Sequence, residues 1–217
     1  MIAAELPVRS PKTSPLSDPP AARVARLTLT DFRNYGQLRL EPAPHPVVLT
    51  GANGAGKTNL LEALSFLSPG RGMRRAKLGE VTRRGAAAAA RWAVAARLDL
   101  PGGVCDIGTG LESGAGAGER RQIRIDGESG RGQAALGEVL GVSWLTPAMD
   151  RLFTEAPGAR RRFFDRLVAG LMPGHGRELA AYERAVRERA RLLASGGEAR
   201  WLDAVEETLA GHGVAVA

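Results

Sequence analysis

The stretch Gly51-Ala-Asn-Gly-Ala-Gly-Lys-Thr58 constrains this chain more than any other. It fits G-x-x-x-x-G-K-[ST], a pattern that is informative only between a strand and a helix. Both flanks are present. Pro46-Val-Val-Leu-Thr50 is a short apolar run that reads as a buried parallel strand, and Asn59-Leu-Leu-Glu-Ala-Leu-Ser-Phe-Leu67 has helical periodicity. Gly51, Gly54 and Gly56 allow positive φ, so the backbone can turn its N–H groups inward around a phosphate. The helix that follows adds free N-terminal donors and the positive end of its dipole. Lys57 is placed to reach β- and γ-phosphates, and the Thr58 hydroxyl to ligate Mg²⁺. A P-loop for a nucleoside triphosphate is the expectation.

Bulk properties narrow the class. At 44% hydrophobic and 24% charged residues, the chain can bury a real core. Cys105 is the only cysteine, which excludes an intramolecular disulfide and a multi-thiolate metal site and fits a cytosolic setting. No apolar run approaches the roughly 18 residues of a membrane span. The net charge of +7 makes an anionic partner plausible. The excess is local: between Gly70 and Arg84, Arg71, Arg74, Arg75, Lys77, Arg83 and Arg84 face only Glu80, a net of +5. That segment directly follows the P-loop helix.

Residues 1–22 are rich in Pro, Ser and Ala without a signal-peptide core, and are expected to be a disordered leader. Arg23 to Thr30 and Gln37 to Glu41 alternate in hydropathy and read as a strand pair about the turn Asp31–Gly36. Ser68-Pro-Gly70 should end the P-loop helix. Short strands follow at Arg91–Leu100, Val104–Gly108 and Arg120–Asp126, the last with an Asp126-Gly127 turn. Gly85–Ala90 and Glu112–Gly118 are low-complexity loops. Antiparallel strands at this point argue against a kinase- or GTPase-type domain, which continues as alternating strand and helix. Gly132–Leu140 reads as a short helix and Gly141–Pro147 as a strand. Helices are then expected from Pro157, from Arg177 to Leu193, and through Trp201, Val205 and Leu209. The final Val214-Ala-Val-Ala217 carries no stop signal and reads as an open end. The fold class is therefore α/β: a P-loop lobe over residues 23–147 with inserted antiparallel strands, then an α-helical domain over 148–217.

One element is missing. A hydrolytic P-loop needs a second Mg²⁺ ligand, usually an acid ending an apolar strand. Asp99 and Asp150 are the nearest candidates, and neither has the right context. The acid is expected outside this chain, so the hydrolytic site is incomplete.

Several blocks together resemble the RecF family: Leu29-Thr-Asp-Phe-Arg-Asn-Tyr35, the P-loop through Leu64, Ser68-Pro-Gly-Arg-Gly-Met-Arg74, Trp144-Leu-Thr-Pro147 and Pro157-Gly-Ala-Arg-Arg-Arg-Phe-Phe-Asp165. That family comprises bacterial replication and repair ATPases related to SMC proteins and ABC ATPase heads. The resemblance implies an ABC/SMC-type head lobe with ATP and Mg²⁺ at Gly51, Ala52, Asn53, Gly54, Ala55, Gly56, Lys57, Thr58 and Asn59, with Arg33 on the early turn beside the nucleotide. It also implies binding to single-stranded or gapped DNA, partnership with RecR and RecO, support of RecA loading and the SOS response, and an ATP-dependent homodimer at full length. A weak DNA-dependent ATPase is expected only of that complete dimer. The family's signature motif and acidic strand end are not matched, and Ala148 stands where the family has an acid. The chain thus looks like an N-terminal part, about three-fifths of a typical member.

Other residues keep two readings. Arg71, Arg74, Arg75 and Lys77 fit either DNA phosphate contacts or a solvated or ATP-side loop; Arg160, Arg161 and Arg162 favour a plain helix surface. Trp92, Trp144 and Trp201 are expected in cores, Cys105 as a small buried apolar residue, and the three histidines as no ligand set. The competing functional readings are a truncated, non-catalytic nucleotide-binding module and another SMC-like head with a different partner.

Overall fold

The computed structural model describes residues 8–9, 22–112, 119–130, 132–154 and 157–217. They form two compact units, divided between Leu136 and Gly137. The expected leader lies outside the described residues except for Ala22 and the two-residue strand β1 (Val8–Arg9), and so does 113–118 of the second low-complexity loop.

In the first unit, β2 (Arg23–Phe32) and β3 (Tyr35–Leu40) pair antiparallel about a two-residue turn, Arg33-Asn34. The sheet continues through β5 (Ala93–Leu100), β6 (Gly103–Glu112), β7 (Arg120–Ile125) and β8 (Glu128–Ser129), in the order β3-β2-β5-β6-β7-β8. Every pairing in it is antiparallel. The insertion read from the sequence is thus one continuous sheet with the leading hairpin. Asp126 and Gly127 both take positive φ, 50° and 84°, which suits the tight β7–β8 turn.

Alternation decides which face is covered. Val94, Ala96 and Leu98 of β5 are buried while their neighbours are exposed, and Leu27, Leu29, Ile107, Ile123 and Ile125 extend the same apolar face. Helix α1 (Lys57–Ser65) and the turn after it supply Leu60, Ala63, Phe66 and Leu67 to this core. Phe32, Phe66 and Trp92 meet there. Phe32 stands edge-on to both others at 5.9 Å between centroids, and Trp92 Nε1 donates to the Leu78 carbonyl at 2.8 Å. Trp92 and Cys105 are buried as expected.

The strand before the P-loop departs from expectation. β4 is only Val48–Leu49, and it pairs antiparallel with β1 instead of lying parallel inside a sheet. Val48 is 54% exposed. An apolar run specifies a side chain that prefers burial but not the neighbour that buries it. Among the described residues no parallel partner exists, and Val47 and Leu49 line an open groove of about 710 Å³ with Leu40, Leu60 and Leu61.

Arg121 on β7 anchors the segment behind α1. Its guanidinium donates to the carbonyls of Phe66, Ser68 (3.3 Å) and Gly70 (2.6 Å), and to Thr109 Oγ1 (2.6 Å), and lies 5.3 Å above the Phe66 ring. Burial pushes its pKa down to about 10, so it remains a cation at neutral pH. The Phe66 carbonyl at the C-terminal end of α1, and those of Ser68 and Gly70 beyond it, turn their partial negative charge on it. No acid is needed.

The second unit is helical: α2 (Ala134–Val139) runs across the division, and α3 (Pro157–Leu171), α4 (Pro173–Ser195) and α5 (Ala199–Val216) follow. α4 ends on Gly196 at φ 66°, with Gly197 N–H returning to the Leu192 carbonyl at 2.8 Å. α4 and α5 then run antiparallel, bridged by Glu178–His212 and Arg189–Glu206, both 2.7 Å. Asp165 of α3 is buried and accepts from Arg161 at 3.1 Å, with His175 Nε2 of α4 also at 3.1 Å.

Two expectations fail here. Gly141–Pro147 is not a strand: no other strand pairs with it, and it is held instead by α3, with the Arg166 guanidinium 4.2 Å from the Trp144 ring and donating to the Trp144 carbonyl at 3.2 Å. Gly141 lies so close to Gly170 that a Cβ would come within 2.8 Å of the Gly170 carbonyl oxygen. Trp201 is 56% exposed, because the half-buried stripe of α5 runs Leu202, Val205, Leu209, and Trp201 is a residue off it, about 100° around the helix.

Replacing Arg121 by Met leaves several buried carbonyls without a donor. Arg121→Met is expected to lower the unfolding free energy of the first unit by about 2–4 kcal/mol, read from urea denaturation, and Arg121→Lys to recover less than half, since one ammonium cannot reach diverging acceptors.

Candidate phosphate-binding site

The loop takes the backbone that its glycines allow. Gly51, Gly54 and Gly56 have φ of 140°, 86° and 105°. Gly56 is the N-cap of α1 and the helix has no side-chain cap, so the first-turn N–H groups of Lys57, Thr58 and Asn59 keep no intrahelical acceptor. An anion is the natural cap for such an end. Lys57 Nζ lies across the loop, donating to the Gly51 and Ala52 carbonyls at 2.7 and 2.8 Å. The Thr58 side chain is exposed beside it. Free N–H groups, an ammonium and a hydroxyl on one uncapped helix start are a donor set that fits a nucleotide triphosphate with Mg²⁺.

Gly56 is required for a second reason. A Cβ there would clash with the Tyr35 hydroxyl and come 2.7 Å from Asn34 Nδ2. The turn between β2 and β3 therefore forms the wall behind the loop. Asn59 Nδ2 donates to Asn34 Oδ1 at 2.8 Å and fixes which way that amide faces. Burial pushes the Tyr35 hydroxyl pKa up, keeping it a neutral donor.

Sequence reading missed Glu62. Its position in α1 looks like an exposed acid, yet it is 0% exposed. Arg33 meets it with two bonds, Nε at 2.9 Å and Nη2 at 2.6 Å, while Arg33 Nη1 donates to the Glu80 carbonyl at 2.8 Å. Arg74 Nη1 reaches Glu62 Oε2 and Asn59 Oδ1, both at 2.7 Å. Only a count of arginines near an acid in the helix's first two turns could have hinted at this. The structure thus places Arg33 beneath the loop, with every guanidinium nitrogen engaged by protein acceptors, and brings Asn34 and Tyr35 to the loop itself.

The basic segment is similarly divided. Arg83 pairs with Asp31 at 2.8 Å and Arg74 with Glu62. Arg71, Arg75 and Lys77 are exposed and hold no ion pair among the described residues. Of the two acids considered as Mg²⁺ ligands, Asp99 pairs with Arg23 at 2.5 Å, at the far end of the ten-residue β2. That is roughly 30 Å from the Arg33-Asn34 turn at the usual strand rise, which removes it as a partner for Thr58. Asp150 lies in the second unit, in the 3₁₀ turn Pro147–Arg151. No cluster of three or more potential metal ligands occurs among the described residues, and none of the helices there is long and apolar enough to cross a membrane.

Residues 26–95 match the AAA domain family model. A DNA replication and repair protein RecF of Mesorhizobium japonicum is 50% identical over 200 residues, 92% of this chain and 52% of that protein. The Agrobacterium fabrum protein of the same name is 50% identical over 195 residues, 89% of this chain and 51% of its own length. The chain is a RecF homologue. It spans about half the length of the curated relatives it matches, rather than three-fifths. A solved structure of the recombination mediator protein RecF in the RecFOR pathway superposes with a TM-score of 0.76 at 21% identity, over 90% of this chain and 52% of that one. A second, of RecF with ATP, gives 0.73 at 22% identity over 94% of this chain and 54% of that one. The fold is thus that of the superposed RecF structures, here an antiparallel sheet followed by C-terminal helices.

A sealed carboxylate with two guanidinium partners is costly to neutralise. Glu62→Gln is expected to destabilise the first unit by about 3 kcal/mol or more. Glu206→Gln, which removes the exposed pair with Arg189, should cost less than about 1 kcal/mol. Chemical denaturation of both variants, followed by circular dichroism, checks the contrast.

Proposed function

We propose that the chain binds ATP with Mg²⁺ at Gly51–Asn59 and serves RecF-type DNA replication and repair in the cytoplasm. The observation that carries this reading is the uncapped start of α1 behind a loop of positive-φ glycines, with Lys57 Nζ lying across its mouth. The N–H groups of the first turn orient phosphate oxygens, Lys57 supplies the cation for β- and γ-oxygens, and the Thr58 hydroxyl supplies an Mg²⁺ ligand. Bound ATP supplies a γ-phosphate whose presence or loss distinguishes two states of the protein. Asn34 and Asn59 fix the loop's back wall; Arg33 and Arg74, through Glu62, hold the helix that carries it.

Relatives are named for DNA replication and repair, and the structural neighbours for the RecFOR pathway. By that likeness the DNA is single-stranded or gapped, RecR and RecO are the protein partners, and the full-length protein dimerises with ATP to support RecA loading and the SOS response. Exposed Arg71, Arg75 and Lys77, projecting from a segment anchored by Arg121, suit phosphate contacts; Arg74 supports the loop from within. A second reading, a nucleotide-binding module without hydrolysis, is favoured by Asp99 being paired with Arg23 at the end of β2 away from the Arg33-Asn34 turn.

Lys57→Met is expected to abolish stabilisation by MgATP in a thermal melt while helicity by circular dichroism stays constant, because Nζ contacts only loop carbonyls. A loss of helicity would mean that the side chain supports the fold. Arg71→Glu with Arg75→Glu should weaken gapped-DNA binding about tenfold or more and flatten its salt dependence by about two phosphate contacts. Fluorescence anisotropy across a salt series measures both, and an unchanged slope assigns these residues to solvent.

A further inference from the structure

Tyr35 opens β3 directly after the hairpin turn, and the residue is only 9% exposed. Its hydroxyl is fully buried and has no hydrogen-bond partner among the described residues. Buried hydroxyls are nearly always partnered, so one without an acceptor calls for a reason. This one does not face inert core. It lies close enough to clash with any Cβ at residue 56, against the N-cap of the nine-residue helix α1. Gly56, at φ 105°, is the only residue type that admits both this backbone and this neighbour. Asn34, the other group behind Gly56, already has its amide oxygen engaged by Asn59. Asn34 is exposed and its amide nitrogen can reach water, whereas the Tyr35 hydroxyl is sealed from solvent with its donor unused.

We propose that the Tyr35 hydroxyl is a positioning donor that acquires its acceptor when a nucleotide triphosphate seats in the loop. This rests on the reading of Gly51–Asn59 as an ATP site. A triphosphate brings anionic oxygens to the start of α1, beside Gly56, and a hydroxyl-to-anion bond is among the stronger protein hydrogen bonds. It also competes for Lys57, whose ammonium is bonded to the Gly51 and Ala52 carbonyls. The loop that Tyr35 backs therefore becomes richer in acceptors with nucleotide than without. The arrangement makes β3 and its turn responsive to loop occupancy: the buried donor is a cost that nucleotide binding relieves. The hydroxyl acts through the loop and the phosphate position, not on the reacting bond.

Tyr35→Phe removes the hydroxyl and keeps the ring, so it separates this role from packing. The unmodified chain and the variant are melted with and without MgATP, and MgATP affinity is measured by calorimetry. Without nucleotide the variant is expected to melt at the same temperature or higher, since it loses an unpartnered buried polar group. With MgATP its upward shift should be smaller, and its affinity weaker by about tenfold. Equal MgATP affinity in the two proteins overturns the proposal. So does a lower melting temperature without nucleotide, because the hydroxyl would then already have a partner in the free protein. No MgATP response in the unmodified chain removes the ATP reading and this proposal together. A response that Tyr35→Phe leaves intact removes this proposal alone.

Discussion

A carboxylate sealed from water persists only where cations are held against it, and in this protein that condition organises the site. Glu62 is fully buried in α1, and its two oxygens are met by Arg33 from the β2–β3 turn and Arg74 from the segment after the helix. Three pieces of chain distant in sequence are thereby locked around the helix that begins at the P-loop. At low effective dielectric such a cluster is costly to open, because each guanidinium released leaves charge uncompensated. The rigidity of the loop's foundation comes from this cluster rather than from α1, which is short and uncapped.

The same economy of partners explains why the basic segment is less of a nucleic-acid patch than its charge suggests. Six basic residues lie between Gly70 and Arg84, yet Arg74 and Arg83 are engaged with Glu62 and Asp31. Arg71, Arg75, Lys77 and Arg84 remain outward. The segment's base is fixed by Arg121, a buried cation bonded to the carbonyls of Phe66, Ser68 and Gly70 in the turn after α1. Arginine thus has two separate uses here: internal brace, and outward charge. Net charge cannot tell them apart.

Much of the architecture was legible. The P-loop, the leading hairpin, the antiparallel strands after α1 and the run of helices follow from glycine placement, alternation of period two and helical spacing. Errors fell where a residue's fate depends on a neighbour. β4 reads as buried, but burial needs a parallel partner that the described residues do not supply. Gly141–Pro147 has strand-like composition but packs against α3 through Arg166 and Trp144. Trp201 belongs by spacing to an apolar face, yet the covered stripe starts one residue later.

The sequence by itself determined the backbone of the loop and the order of side chains along it. Gly51, Gly54 and Gly56 take positive φ because no other residue does so cheaply, and Lys57 and Thr58 follow them by covalent connection. Local preferences of this kind travel with the chain. Tertiary structure alone decided what stands behind the loop: that Glu62 is buried, that Arg33 and Arg74 converge on it, and that Tyr35 and Asn34 take the space a Cβ at residue 56 would need. These are long-range contacts. No periodicity encodes them, since they exist only once the hairpin, α1 and the segment beyond it are packed together.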